Sequence, residues 1–266
     1  DLKRQVDAFA SGLLALGLEP GDRIGIWSPN NAEWVVTQYA TAKAGLILVN
    51  INPAYRVSEL EYALNKVTAK ALILATTFKS SDYVAMLREL APEVDGCAPG
   101  ALESQRLPHL SSVIQIGGEV AKGFYGFDEI SSLAKEIHHQ RIVGLAATLQ
   151  FDDPINIQFT SGTTGFPKGA TLTHFNILNN GYFTGEGLKF TPKDRLCVPV
   201  PLYHCFGMVL SNIAALTHGA ALIYPAEAFD PLLVLEAVHE ERCTALHGVP
   251  TMFIAELAHP RFAEFD

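Results

Sequence analysis

Two hydrophobic patterns alternate along the early part of the chain. Val6, Phe9, Leu13 and Leu16 follow the spacing of one helical face, whereas residues 24–27 form a short continuous apolar run typical of a buried strand. The predicted elements that follow are a helix at 32–44, a strand at 46–51, a helix opening at the capping box of Ser58 and Glu61, a strand at 71–75 and a helix ending near Leu90. Strands that alternate with helices are typical of a parallel sheet built from βαβ units.

The pattern weakens between residues 91 and 150, where prolines and a glycine pair surround one predicted strand at 113–116. It then resumes, with strands predicted at 155–160, 196–200, 220–224 and 244–247 and helices at 175–183, 206–216 and 231–241. We therefore predict an α/β fold with two mostly parallel sheets covered by helices. Its predicted parts are a first α/β subdomain at 1–110, a connection at 111–150 and a second α/β subdomain at 151–266.

Composition and charge narrow the functional classes. The 266 residues carry 28 acidic and 19 basic side chains, which gives a net charge of −9 and argues against binding to nucleic acid. No apolar run reaches the roughly 18 residues that a transmembrane helix needs. The four cysteines show no C-x-x-C spacing, which favours a reducing compartment over a disulfide scaffold. We expect a cytoplasmic protein, and a mitochondrial homologue remains open because the chain begins inside a helical pattern.

One segment combines glycine, hydroxyl and lysine side chains directly after a predicted strand. Residues 160–169 read T-S-G-T-T-G-F-P-K-G. Glycines let the backbone amides approach a phosphate closely, hydroxyls donate to phosphate oxygens or bind Mg²⁺, and Lys168 supplies a positive charge. The spacing differs from the Walker motif because Pro167 precedes the lysine and Gly169 follows it. By composition alone, a flexible Ser/Gly loop is the other interpretation.

In their order, these ten residues resemble the phosphate-binding signature of the adenylate-forming superfamily, which includes acyl-CoA synthetases, luciferases and peptide-synthetase adenylation domains. Further segments similar to motifs of that family extend the resemblance over nearly the whole chain: G-D-R at 21–23, N-I-N-P at 50–53, L-Y-H-C-F-G at 202–207 and H-G-V-P-T at 247–251. The resemblance implies the front part of the large N-terminal domain of an acyl-CoA synthetase. A small distorted barrel is a further possibility, and the resemblance implies that the C-terminal lid domain lies outside these 266 residues.

The resemblance implies a two-step reaction with ATP, Mg²⁺ and CoA. A carboxylate attacks the α-phosphate to give an acyl-adenylate and pyrophosphate, and the CoA thiol then displaces AMP. The catalytic residues implied are Lys168 and His204. The residues implied to bind the phosphates are Thr160, Ser161, Gly162, Thr163, Thr164, Gly165 and Lys168. Ser161 and Thr164 would lie nearest to Mg²⁺.

The residues around His204 indicate the class of acid. Amino-acid-activating relatives carry an aspartate in this segment, which binds the substrate ammonium, whereas residues 204–207 here contain no carboxylate. His204 is implied to lie beside the substrate carboxylate, with Phe206, Gly207 and Leu210 as further substrate residues and Met208 and Val209 in the same apolar wall. A hydrogen-bonded histidine at a helix start is the alternative for His204.

Within the acyl-CoA synthetases, four stretches resemble the medium-chain fatty-acyl-CoA ligase branch, which includes acyl-CoA synthetase family member 2 and bacterial relatives. They are residues 53–55, 59–62, 99–102 and 153–159. We therefore expect a fatty-acid–CoA ligase that acts on a medium- or long-chain acid, without nucleic acid or an integral membrane segment, and with a homodimer as a possible assembly.

The family's later motifs are missing from the 266 residues. They are the Y-G-x-T-E segment with its Mg²⁺-binding glutamate, the ribose-binding aspartate, the hinge and the C-terminal lysine. We therefore expect this chain by itself to be catalytically incomplete. Two alternatives remain: a short protein that binds a nucleotide or an acyl ligand without ligase activity, and an amino-acid- or aryl-acid-adenylating enzyme.

Overall fold

The computed structural model describes residues 1–160 and 167–265, which form two compact units. The first unit comprises residues 1–28 and 32–174, and the second comprises residues 29–31 and the chain from 175 onward. Both units are α/β, with parallel strands and helices, as the alternating pattern predicts. The predicted fold class is therefore confirmed.

The first unit is built on one large sheet. Its strands are β1 (Arg23–Trp27), β2 (Ile47–Asn50), β3 (Ala71–Ala75), β4 (Thr77–Phe78), β5 (Ser81–Asp82), β6 (Ser112–Ile116), β7 (Tyr125–Gly126), β8 (Pro154–Thr160) and β9 (Lys168–Thr173). Its helices are α1 (Leu2–Ala15), α2 (Ala32–Lys43), α3 (Val57–Lys66), α4 (Tyr83–Leu90), α5 (Phe127–Ile130) and α6 (Glu136–Leu145). Among the described residues, the large sheet has the order β7-β6-β3-β1-β2-β8-β9, and only the β8–β9 pair is antiparallel. Strands β4 and β5 form a separate short hairpin.

The buried strands explain why the apolar runs predict this sheet so well. Strand β3 is buried along its whole length, and so is β2, because helices cover both faces of a parallel sheet. At the end of β1 the buried ring of Trp27 stacks on Tyr83 of α4, with 3.7 Å between the ring centroids. Such strands show continuous apolar residues instead of an alternating pattern.

The start of α3 differs from the prediction. The helix begins at Val57, and the backbone N–H of Arg56 donates to Glu59 Oε2 at 2.8 Å, so Glu59 provides the reciprocal contact expected of Glu61. Glu61 instead accepts a hydrogen bond from Arg106 Nε at 3.0 Å. The predicted capping box of Ser58 and Glu61 is therefore wrong, because the helix begins at Val57 and its capping positions are Arg56 and Glu59.

The second unit contains a smaller parallel sheet. Its strands are β10 (Arg195–Cys197), β11 (Ala221–Ile223) and β12 (Ala245–Leu246), in the order β11-β10-β12. Its helical elements are α7 (His174–Leu188, which begins on the last residue of the first unit), a π-helix (Phe206–Ile213), α8 (Ala214–His218), α9 (Pro231–Glu240) and α10 (Pro250–Leu257).

The division into two units lies elsewhere than the sequence predicts. Residues 154–160 form β8, which pairs in parallel with β2 of the first sheet, through Asn156 opposite Leu48 and Gln158 opposite Asn50. The expected connection at 111–150 contains β6 and β7 of that same sheet. The apolar pattern predicts that a strand exists but not which strand it pairs with, and here the partner lies about a hundred residues earlier in the chain.

Two further observations bear on the environment of the protein. No helix among the described residues is both long enough and apolar enough to cross a membrane. All four cysteines are free thiols.

Candidate functional site

The two strands that flank the glycine-rich segment bring its ends together. Strand β8 ends at Thr160 and β9 begins at Lys168, and these two residues lie directly opposite each other in the antiparallel pair. The Thr160 hydroxyl lies 3.5 Å from the Lys168 carbonyl oxygen, to which it donates. Ser161, Gly162, Thr163, Thr164 and Gly165 lie outside the described residues, so their implied roles in binding phosphate and Mg²⁺ stay predictions.

Lys168 is the first residue of β9. Its side chain is exposed, and it takes part in none of the ion pairs formed within residues 1–160 and 167–265. An exposed ammonium is a donor that suits phosphate oxygens, whereas the one hydrogen of the Thr160 hydroxyl is donated to the Lys168 carbonyl oxygen. The contact between Lys168 and a polyphosphate stays a prediction.

A tyrosine that the sequence analysis did not assign to the site holds the same segment. The Tyr62 hydroxyl on α3 donates to the Pro167 carbonyl oxygen at 3.1 Å, across 105 positions of sequence. This bond fixes the backbone immediately before Lys168. No local pattern around Tyr62 could reveal the contact, since its partner is a backbone atom far along the chain.

The second set of predicted site residues follows β10 in the second unit. Strands β10 and β12 are parallel, so residues 198–205 and 247–250 leave the sheet at the same edge, its carboxyl end. The backbone N–H of Val198 donates to the Ile223 carbonyl oxygen at 2.8 Å and extends the ladder beyond the strand. In open parallel α/β sheets, ligands bind at this edge.

His204 lies at the start of the helical segment and is exposed. Its Nδ1 accepts a hydrogen bond from the Phe206 backbone N–H at 3.1 Å, and its own backbone N–H donates to the Pro201 carbonyl oxygen at 3.3 Å. An Nδ1 that accepts places the proton of the neutral imidazole on Nε2. The structure thus contains the hydrogen-bonded histidine of the alternative interpretation, and the same contact fixes His204 as a potential Nε2–H donor to a ligand.

The helix that follows His204 has π geometry where the sequence predicts an ordinary helix. The Ser211 hydroxyl lies 3.0 Å from the Phe206 carbonyl oxygen and 2.8 Å from His247 Nδ1. The hydroxyl has one hydrogen, so both contacts are satisfied when Ser211 donates to Phe206 and His247 Nδ1–H donates to Ser211. The Phe206 and His247 rings lie 5.3 Å apart between centroids. Turns of π-helix occur frequently at functional sites.

Ser211 and His247 are therefore residues whose role the sequence analysis missed. His247 belongs to the H-G-V-P-T segment, but nothing in that motif indicates its contact with the π-helix. Burial lowers the pKa of His247, so its imidazole is neutral near pH 7. A neutral ring is consistent with the assigned Nδ1–H donor.

The apolar residues of the π-helix differ in how much of each side chain is exposed. Phe206 and Leu210 are half-buried and can contact a ligand, whereas Met208 and Val209 are buried in the core of the unit. The expectation that Met208 and Val209 belong to the same apolar wall stays a prediction.

Gly207 has a packing role of its own. A Cβ at Gly207 would lie 2.5 Å from the Pro201 carbonyl oxygen and 2.9 Å from the Leu202 Cα. These are backbone atoms, which cannot rotate away, so only glycine allows the π-helix to approach the segment that precedes His204.

The family of the chain follows from comparison with known proteins. Residues 1–266 match the model of the family described as AMP-binding enzyme. The chain belongs to this family.

Curated relatives with high similarity are acyl-CoA ligases and synthetases. The chain is 48% identical over 272 residues to the mitochondrial medium-chain acyl-CoA ligase ACSF2 of Homo sapiens, covering 100% of this chain and 44% of the relative. It is 47% identical to the protein of the same name from Danio rerio, covering 99% of this chain and 44% of the relative. It is 45% identical to the putative acyl-CoA synthetase YngI of Bacillus subtilis (strain 168), covering 97% of this chain and 47% of the relative. The chain thus spans less than half the length of these proteins.

Solved structures confirm the fold. ATP-bound MatB from Rhodopseudomonas palustris matches with a TM-score of 0.75 and 27% identity, over 98% of this chain and 46% of that one. The N-terminal domain of FACL13 from Mycobacterium tuberculosis matches with a TM-score of 0.78 and 24% identity, over 100% of this chain and 59% of that one.

Proposed function

We propose that the complete protein is a fatty-acid–CoA ligase that acts on medium-chain acids. It would use ATP to convert the acid to an acyl-adenylate and would then transfer the acyl group to the thiol of CoA. The similarity to the ACSF2 proteins, which are named medium-chain acyl-CoA ligases, supports the substrate class. The free thiols fit a reducing compartment such as the cytoplasm, or the mitochondrion for which the ACSF2 relatives are named. A homodimer stays a prediction.

The observation that carries this proposal is the chemistry around His204. The partly exposed side chains that follow it on the π-helix, Phe206 and Leu210, are apolar, and residues 204–210 contain no carboxylate. An ammonium group brought to this surface would lose water without gaining a counter-charge, whereas a hydrocarbon chain gains from leaving water. His204 Nε2–H would donate to the acid's carboxylate.

The phosphate side of the reaction rests on the hairpin of β8 and β9. Lys168 would bind phosphate oxygens and lower the repulsion between the incoming carboxylate and the polyphosphate. Thr160 would donate to a phosphate oxygen with its hydroxyl rotated away from the Lys168 carbonyl oxygen. Mg²⁺ would supply further charge neutralisation, with Ser161 and Thr164 as the proposed oxygen donors.

The proposed function is tested by exchange of labelled pyrophosphate into ATP, followed by assay of the CoA thioester. The complete protein is given straight-chain acids of increasing length, an amino acid of similar size and an aryl acid. We expect exchange with a medium-chain acid to be at least about 10²-fold faster than with the amino acid. This ratio corresponds to the free-energy cost of burying the ammonium group without a counter-charge. Fastest exchange with the amino acid or the aryl acid would support the adenylating alternative instead. ATP or acid binding without exchange would support the non-catalytic binding protein.

Removing the Tyr62 hydroxyl is expected to affect ATP binding selectively. Tyr62→Phe deletes one hydrogen bond to Pro167 without changing the shape of the ring, so the KM for ATP should rise about fivefold, the equivalent of roughly 1 kcal/mol. The KM for the fatty acid should stay within about twofold of the wild-type value, and steady-state kinetics with each substrate varied in turn provide the measurement.

Tyr125→Phe is the matched control. Its hydroxyl also donates to a proline carbonyl oxygen, that of Pro99 at 3.0 Å, in the same unit but away from the β8–β9 hairpin. Both KM values should be unchanged in this variant. Equal effects of the two substitutions on the KM for ATP would show that Tyr62 does not act on the phosphate-binding segment.

A further inference from the structure

Asn30 lies between β1 and α2, in the short stretch of residues 29–31 that belongs to the second unit. Its backbone N–H donates to the Glu227 carbonyl oxygen at 3.1 Å, and its side chain is only 5% exposed. A buried side-chain amide has to find hydrogen-bond partners for both its oxygen and its nitrogen. For Asn30, both are found on the segment that leads to His204.

The side chain of Asn30 makes a two-point contact with this segment. Its Nδ2 donates to the Val200 carbonyl oxygen at 3.0 Å, and its Oδ1 accepts from the Leu202 backbone N–H at 2.8 Å. Val200 and Leu202 are fully buried. The partners define the orientation of the amide, because a carbonyl can only accept and an N–H can only donate. The two bonds enclose Pro201 and hold its backbone in place.

The backbone of Pro201 and Leu202 in turn determines where His204 lies. The Pro201 carbonyl oxygen accepts the backbone N–H of His204 at 3.3 Å. The π-helix contacts the same backbone through Gly207, so closely that no Cβ fits. A shift of residues 200–202 therefore moves the turn that carries His204 and the first turn of the π-helix together.

We propose that Asn30 is a positioning residue that sets the place of His204 relative to the carboxylate of the acid; this inference rests on the proposed function. Only an amide satisfies both backbone partners. An aspartate at this position keeps the shape and the acceptor for Leu202 N–H, but it loses the donor and sets an anionic oxygen against the Val200 carbonyl oxygen. Because Asn30 precedes the segment by 170 positions of sequence, this role is separate from the motif that contains His204.

Hydrogen–deuterium exchange tests the contact without reference to activity. In the complete protein, Asn30→Asp should raise the exchange of a peptide covering residues 200–207 at least about tenfold. The variant loses the Nδ2–H donor to the Val200 carbonyl oxygen, so residues 200–202 are no longer held and the amides of His204 and Phe206, which depend on that backbone, open more often. Asn65→Asp is the matched control: its Nδ2 also donates to a backbone carbonyl, that of Arg106 at 2.9 Å, on the exposed surface of the first unit. This variant should leave residues 200–207 unchanged. Unchanged exchange in Asn30→Asp would overturn the proposal even if the protein proved to have no ligase activity.

Kinetics test the consequence for the reaction. Asn30→Asp should lower kcat for acyl-adenylate formation about 10²-fold, the scale of a misplaced reactive group, while the KM for ATP stays within about twofold. In a His204→Ala background the same substitution should change kcat by less than about threefold, because the residue through which Asn30 acts is gone. Independent, multiplicative effects in the double variant would overturn the proposal, as would equal changes in both KM values.

Asn30→Ala removes both bonds without adding charge, and it replaces Asn30→Asp in each measurement if the aspartate variant does not fold. Failure of both variants to fold would contradict a role limited to the His204 segment. A wild-type protein that forms no acyl-adenylate would refute the proposed function, and the exchange experiment would still decide whether Asn30 holds residues 200–202.

Discussion

Replacing Lys168 with alanine in the complete protein is expected to lower acyl-adenylate formation from a fatty acid about 10²-fold, the scale of one lost preorganised charge contact. The ammonium is exposed, follows the proline that Tyr62 holds and lies opposite Thr160 at the closed end of the hairpin. Without it, the repulsion between the incoming carboxylate and the phosphates is less well compensated. Single-turnover measurement of the adenylate separates this step from thioester formation.

Lys122→Ala controls for the general loss of a positive charge. Lys122 is also exposed and belongs to the same unit, but it lies before β7, away from the glycine-rich segment. Its replacement should leave the rate within about twofold of wild type, because separated surface charges are screened by salt. A rate within about threefold of wild type for Lys168→Ala itself would show that this lysine is only a solvated side chain.

Replacing Gly207 with alanine is expected to destabilise the second unit by about 3 kcal/mol, at the upper end of the usual effect of overpacking. The added Cβ would lie 2.5 Å from the Pro201 carbonyl oxygen, and the backbone on both sides would have to move apart. Because this movement separates the π-helix from the segment before His204, acyl-adenylate formation should fall as well. Native-state hydrogen exchange of residues 195–213 reports the local free energy of unfolding.

Gly187→Ala is the matched control in the same unit. Gly187 lies in α7, and a Cβ there would meet nothing within 4 Å. Alanine should stabilise the helix by about 0.5–1 kcal/mol, since glycine has the greater conformational freedom in the unfolded chain. If both substitutions destabilise by the same amount, the close contact at Gly207 is not the cause.

The strands of the first sheet show how far a local pattern can predict a fold. Strands β1 to β3 were predicted to within two residues at each end, because burial on both faces requires a continuous apolar run. Strand β9, in contrast, reads K-G-A-T-L-T and is largely exposed, so it carries no apolar signal. Strand β8 was predicted as a strand but assigned to the wrong sheet, because its pairing with β2 is a long-range contact.

The features of the candidate site also fall into those that the local sequence predicts and those that depend on long-range contacts. The sequence by itself determined the glycine-rich segment, Lys168, His204 and the absence of a carboxylate from residues 204–210, because residue types in a fixed local order define these features. Only the tertiary structure decided that Tyr62 contacts Pro167, that Asn30 contacts the segment before His204 and that Ser211 contacts His247. Their contacts span 105, 170 and 36 positions, respectively. A side chain's local sequence sets its chemistry, whereas a hydrogen bond depends on which distant backbone or side-chain atoms the folded chain brings within about 3 Å.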